Sequence, residues 1–265
     1  MTVLCVALDA KIQERGLEVG LDFNNVLLIP KRSGLESRKD VTLERTITFK
    51  NSGYTWTGIP IIASNTDTTG TVEMALALQE YKMLTCLHKF YKADDIPKTL
   101  DKNYYMVSTG TGEKDLKNLD DIVAVHDPIF ICIDVANGYC QIFVDVIKVI
   151  RNKYPKKVLV AGNVVTPEMA QALILEGGLD VVKVGIGSGS ICTTRLQAGV
   201  GYPQWSAVVE CASAAHAIGG HIVSDGGVQN VGDISKALGA GADFIMCEYR
   251  DWETDRKSTR LNSSH

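Results

Sequence analysis

The chain has 265 residues, 45% of them hydrophobic and 22% charged, with a formal charge of −4 and a pI near 5.8. This balance suits one soluble globular domain with its own core, and the net negative charge gives no electrostatic case for a nucleic acid or an anionic membrane as partner. No apolar run approaches the roughly 20 residues of a membrane span, MTVLCVALDAKIQERG lacks the flank and core of a secretory signal, and the seven cysteines form no CxxC pair, so a reducing, cytoplasmic setting is expected.

In chain order, residues 1–57 read as an extension ahead of the main fold. Within it LDFNNVLLIPKRS has the pattern of a strand closed by a proline turn, expected to cover the floor of that fold. From Gly58 short β-rich runs alternate with helix-like stretches. The strands are IPIIAS at 59, MLTCLH at 83, YMVST at 105, FICIDVA at 130, VLVAGN at 158, VVKVGI at 181, HIVSD at 221 and FIM at 244. Between them VEMALALQEY, KDLKNLDDIVAVH, QIFVDVIKVIRNKY, PEMAQALILEG and QWSAVVECASAAHAIG repeat apolar residues at helical spacing. Thr166, Pro167 and Glu168 supply an N-cap hydroxyl, a proline for the first helical position and an acid for the positive dipole end. Eight strands that end in polar or glycine-rich sequence predict an α/β fold of the (β/α)8 TIM barrel type, with a doubly wound open sheet as the second possibility. RDWETDRKSTRLNSSH from Arg250 has no helical stripe and cannot supply an eighth helix. The expectation is therefore one domain over 1–249, incomplete after its eighth strand, and a non-native or disordered tail at 250–265.

The loop GIGSGSICTTR at 185–195 combines backbone N–H groups freed by glycine with serine hydroxyls, a combination suited to an anion. SDGG at 224–227, another late-strand loop, adds to it. Free cysteines are mostly buried as small hydrophobes. Cys192 differs in lying among N–H donors with Arg195 three residues on, surroundings that favour a nucleophilic thiolate. Asp134 ends an apolar strand and either caps the next loop or binds a ligand's ribose or amide. Asp225 either accepts ribose hydroxyls or braces its turn. Lys89, beside His88, is either solvated or set against a cofactor phosphate.

GIGSGSICTTR followed by GVGYPQ resembles the catalytic loop of the GMP reductase and IMP dehydrogenase superfamily. LDFNNVLLIPKRS, GIPIIASNTDTTGT, HKFY, DVANGY, AGNVVT, SDGG and GAGADFIM fall in the family's order from Leu21 to Met246. DVANGY, HKFY and the absence of an inserted regulatory pair of domains resemble the reductase branch, whereas DGGVQNVGDISKAL is closer to the dehydrogenases. The resemblance implies that Cys192 attacks C2 of GMP, that ammonia leaves, and that hydride from NADPH then expels the thiol to give IMP, with Thr194 relaying protons. It also implies that Ser190, Asp225, Gly226 and Gly227 hold the nucleotide, and that Lys89, Asp134, Val135, Ala136, Ile186 and Gly187 face NADPH. Carbonyls of Gly187, Gly189, Cys192 and Arg195 would surround a monovalent cation, usually potassium, in a homotetramer. The alternatives are NAD-dependent oxidation of IMP, or a nucleotide-binding barrel without turnover. Departures from the family pattern are Ser188 for proline, Thr66 for methionine and Leu196 for a basic residue. Beyond Met246, Cys247-Glu248-Tyr249 replaces a glycine pair, and neither Glu248 nor Glu253 matches the family's flap glutamate.

Overall fold

A computed structural model describes residues 3–5, 20–189 and 192–248. All eight expected strands form: β4 (Thr55–Ala63), β5 (Met83–Leu87), β6 (Tyr105–Thr109), β7 (Phe130–Asp134), β8 (Val158–Val164), β9 (Val181–Val184), β10 (His221–Asp225) and β11 (Phe244–Cys247). Each pairs in parallel with the next, and β11 pairs in parallel with β4 through Ile245↔Ile61, Met246↔Ile62 and Cys247↔Ala63. That last pairing closes the barrel and excludes the open sheet. Three shorter strands precede these: β1 (Val3–Cys5) pairs with β2 (Val26–Leu28), and β3 (Arg45–Thr48) runs antiparallel to β4. The helices are α1 (Val72–Gln79), α2 (Glu113–His126), α3 (Gln141–Lys153), α4 (Pro167–Leu175), α5 (Thr194–Ala198), α6 (Gln204–His216) and α7 (Val231–Ala240).

Strand side chains alternate between faces, and the buried residues separate accordingly. Leu84, Met106, Phe130, Cys132, Val158, Val160, Val181, Val223, Phe244 and Met246 pack with one another inside the barrel. Their neighbours Val107, Ile131, Ile133, Leu159, Val182, Ile222 and Ile245 belong to the layer shared with the helices. Inside the barrel, the N-terminal end is filled by Phe49 and Trp56 of the β3–β4 hairpin, which stack and tilt against Phe244 at centroid distances of 6.3 and 5.3 Å. The fully buried Asp180 fixes this hairpin to the barrel. Its carboxylate accepts from the backbone N–H of Asn51, Ser52 and Leu159 and pairs with Arg151 at 2.7 Å.

Three expectations are corrected. LDFNNVLLIP does not cover the floor, which the β3–β4 hairpin closes; the segment instead lies against the outer helices near the opposite rim. There Leu21 exchanges hydrogen bonds with Ser206, and the Phe23 carbonyl accepts from Lys236. The helix at 167 begins where expected, with Pro167 and Glu168 in its first turn, but Thr166 makes no side-chain cap because its hydroxyl bonds that of Tyr139 at 3.2 Å. The first barrel strand also starts at Thr55, three residues before the boundary set at 57 and 58. The segment 250–265 lies outside the described residues.

Candidate active site

The inward parity of three strands carries charge at the C-terminal end of the barrel. Asp134 follows Phe130 and Cys132 on β7, Lys183 follows Val181 on β9, and Asp225 follows Val223 on β10. Lys183 is 1% exposed and sits between the two acids, its Nζ 2.8 Å from Asp134 Oδ1 and 3.1 Å from Asp225 Oδ2. Asn65 donates to Asp134 at 2.8 Å, and Asn163 donates to Asp225 at 2.8 Å and to the Gly185 carbonyl at 2.7 Å. Burial alone would raise the Asp134 pKa, but the Lys183 charge and hydrogen bond, with the Asn65 amide, hold it below the usual carboxylate value. Burial likewise opposes the charged form of Lys183, and the facing carboxylates of Asp225 and Asp134 override it and raise its pKa well above normal. Gly162 makes room for this arrangement, since a Cβ there would lie 2.5 Å from the Lys183 Cβ.

Above this layer opens a cavity of 380 Å³, within the range of about 300–1,000 Å³ common for small-molecule sites. Cys192 and Thr194 are on its wall, as are Ser188, Gly189 and Gly226. The half-buried Cys192 thiol donates to the Thr194 hydroxyl at 3.3 Å. Ser188 donates through Oγ to the Asp225 carbonyl at 2.9 Å, joining the two glycine loops. Gly226 takes φ +86°, and a Cβ on it would lie 2.5 Å from that serine hydroxyl, so glycine is required on both counts. Gln204, fully buried at the start of α6, donates to the Val184 carbonyl at 2.8 Å and to Ser224 Oγ at 3.2 Å, bracing β9 and β10 from outside.

A second, mainly apolar hollow of 430 Å³ is lined by Tyr139, Val165 and Val200 and shares Ala136, Ile186 and Thr194 with the first. The two therefore meet beside the Cys192–Thr194 pair.

Of the residues singled out in sequence, Cys192, Thr194, Asp134, Val135, Ala136, Ile186, Gly187, Gly189, Asp225 and Gly226 share the first cavity. Gly227 does not line it; the space its Cβ would need is bounded by Gln204 and Phe23. Lys89 is exposed beside the Phe90 ring and lines neither hollow, although its charge reaches Asp134. Arg195 turns away, donating to Asp22 at 3.2 Å and to the Tyr202 carbonyl at 2.5 Å. Ser190 lies outside the described residues. Sequence reasoning missed Lys183, Asn65, Asn163, Gln204 and Asp22; among these Lys183 had a local signal, a charge in an otherwise apolar strand. Glu248, set aside in the sequence, lines the cavity.

The sequence profile described as the IMP dehydrogenase / GMP reductase domain matches residues 20–249. GMP reductase 1 of Mus musculus is 52% identical over 237 residues, which cover 86% of this chain and 68% of that protein. GMP reductase of Citrobacter koseri is 53% identical over 236 residues with the same coverage. Among solved structures, inosine 5′-monophosphate dehydrogenase from Legionella pneumophila superposes with a TM-score of 0.75 at 32% identity, covering 87% of this chain and 69% of that one.

Proposed function

The chain belongs to the IMP dehydrogenase / GMP reductase family, and from that premise we propose that it reduces GMP to IMP with release of ammonia, using Cys192 as a covalent nucleophile. It is an oxidoreductase of purine nucleotide metabolism. The reductase branch is favoured over the dehydrogenase by identity of about 52% to the reductases against 32% to the dehydrogenase structure. The observation that carries the chemistry is the Cys192 thiol on the wall of a nucleotide-sized cavity, hydrogen-bonded to the Thr194 hydroxyl and set above Lys183 and its two carboxylate partners.

The Cys192 sulfur adds to C2 of the guanine ring and forms a C–S bond, and the bond from C2 to the exocyclic amine then breaks. Thr194, within hydrogen-bonding distance of the sulfur, accepts the thiol proton and passes it toward the departing ammonia. NADPH, when bound, supplies the hydride that replaces sulfur at C2. The second hollow suits a nicotinamide, because its apolar wall of Val165, Ile186 and Val200 opens at Ala136 and Thr194 onto the reacting cysteine. Asp134, kept ionised by Lys183, offers an acceptor at that junction, while Asp225 and Gly226 receive the ribose and phosphate end of GMP. In this reading Lys89 would meet a phosphate of the cofactor, and Ser190 and Gly227 would complete the nucleotide loop. The carbonyls of Gly187, Gly189, Cys192 and Arg195 are a neutral oxygen set suited to potassium. The Arg195 guanidinium fits such a site because Asp22 balances its charge and draws it aside. A cytoplasmic homotetramer completes the proposal.

The experiment follows NADPH absorbance with GMP present. Turnover is expected for the unsubstituted chain and a loss of at least about 10³-fold for Cys192→Ala. Unchanged turnover in that variant would overturn the covalent route, and NAD reduction with IMP in its place would assign the chain to the dehydrogenase branch.

A further inference from the structure

The barrel's N-terminal end, opposite the catalytic face, holds a second constellation that the reductase chemistry does not use. His216 ends α6, His221 begins β10 and Asp243 immediately precedes β11, so three separate elements deliver their side chains to one place. His216 Nε2 lies 2.8 Å from Asp243 Oδ2, His221 Nδ1 lies 3.2 Å from Asp243 Oδ1, and one ligand atom from each of the three falls within 4.8 Å of the others. At Zn–N and Zn–O bonds of about 2.0–2.2 Å, tetrahedral ligand atoms lie about 3.3 Å apart. The two histidine–carboxylate separations are near that spacing, and the group as a whole spans no more than 4.8 Å.

The surroundings add three observations. His221 Nε2 faces the Thr48 carbonyl at 3.4 Å, and since a carbonyl only accepts, that nitrogen carries the ring hydrogen. The other nitrogen, Nδ1, is buried and faces the Asp243 carboxylate, with no well-aligned hydrogen bond among the described residues. A proton or a metal ion can sit between Nδ1 and the carboxylate at this separation, and a ring held by a carbonyl at its far nitrogen is the usual support of a metal-bound histidine. Asp243 is held in turn by the Ile222 N–H at 2.9 Å. Finally, a cleft of 550 Å³ between His221, Asp243 and residues 45–48 gives an ion an entry route and room for water as the fourth ligand. Arg45 shares this cleft and weakens the site's pull on cations without supplying a ligand.

We propose that His216, His221 and Asp243 form a site for a divalent transition metal of zinc-like preference. Two imidazoles and one carboxylate select zinc, cobalt or nickel over magnesium or calcium, which take oxygen ligands. The ion would fasten the C-terminal end of α6 to β10 and β11. The same helix presents Gln204 to the catalytic loops at its other end, so the metal would stiffen the support of that face from below.

The test titrates the full chain with zinc chloride by calorimetry and by thermal melting, with circular dichroism to confirm that each variant is folded. One zinc per chain with a raised melting temperature is expected, and the affinity should fall at least about tenfold in both His216→Ala and His221→Gln. Cys192→Ala separates this site from thiol binding at the catalytic face and should leave the zinc affinity as it is. Absence of saturable binding, or an affinity unchanged from the unsubstituted chain in either histidine variant, would overturn the proposal, and so would loss of the signal in Cys192→Ala. None of these readouts depends on GMP turnover.

Discussion

Lys183 governs the charge balance of the catalytic face, because a 1%-exposed ammonium there faces two carboxylates at 2.8 and 3.1 Å. Replacing it in Lys183→Met leaves both acids facing each other without a cation, and breaking a buried pair from one side costs about 3–5 kcal/mol. The lower end is expected here because Asp134 is partly exposed. The pH dependence carries a sign. In the natural chain the depressed Asp134 pKa stabilises the fold above the unfolded carboxylate value, and this is lost as pH falls through the folded one. In the variant, burial raises the Asp134 pKa against only the Asn65 amide and the Lys89 charge, so acidification relieves the strain. Melting temperatures of the two chains should differ most near neutrality and converge toward pH 4, and a constant gap would show that charge is not the cause. Gly226→Ala tests the loop separately: φ +86° and the 2.5 Å approach to Ser188 predict at least about a tenfold rise in KM for GMP with the fold retained, read by steady-state kinetics. The cysteine, threonine and aspartates were visible in sequence because short loops follow strands of clear parity. Lys183 was passed over inside VVKV, since a pattern read only for apolar residues discounts the one charge that the barrel interior can neutralise from neighbouring strands.

Elements in this molecule are joined most firmly where one side chain serves several of them. Asp180, just ahead of β9, receives two N–H groups from the 49–54 turn, one from β8 and the Arg151 guanidinium from α3. Asp180→Asn removes the charge opposite Arg151 and turns an amide toward donors, which predicts a loss of about 3 kcal/mol. For a chain of this size that is a fall of about 6–12 °C in melting temperature, measurable by circular dichroism. A shift under about 2 °C would mean that the turn is held by its other contacts, the Phe49 and Trp56 rings and the Asn51 and Lys50 hydrogen bonds to the Leu179 and Ile218 carbonyls. The eight strands and five of the helices were legible because each has its own period. The place of LDFNNVLLIP was not, since its partners Ser206 and Lys236 are far along the chain and a short apolar strand carries no mark of which end of a barrel it will meet. The Asp22–Arg195 pair, 173 residues apart, was hidden for the same reason, and it redirects a guanidinium that sequence alone had set beside the thiol.

At the scale of the whole molecule, the proposal makes binding and chemistry separable, because the groups that would hold GMP belong to the barrel's strands and glycine loops whereas the proposed bond-making atom is one sulfur on the cavity wall. A ligand that binds the folded chain stabilises it by about 2.7 kcal/mol at one hundred times its dissociation constant, equivalent to roughly 5–10 °C here. Cys192→Ala should keep that GMP-induced shift while losing turnover, since removal of the sulfur leaves Asp225, Gly226 and the Lys183 layer intact. Asp225→Ala should lose most of it, because its carboxylate is held by both Lys183 and Asn163 at the base of the nucleotide cavity. Thermal melts with and without GMP decide the matter: a full shift that survives Asp225→Ala would place the nucleotide away from that carboxylate, and loss of the shift in Cys192→Ala would show that the sulfur carries binding as well as chemistry, so that the two are not separable.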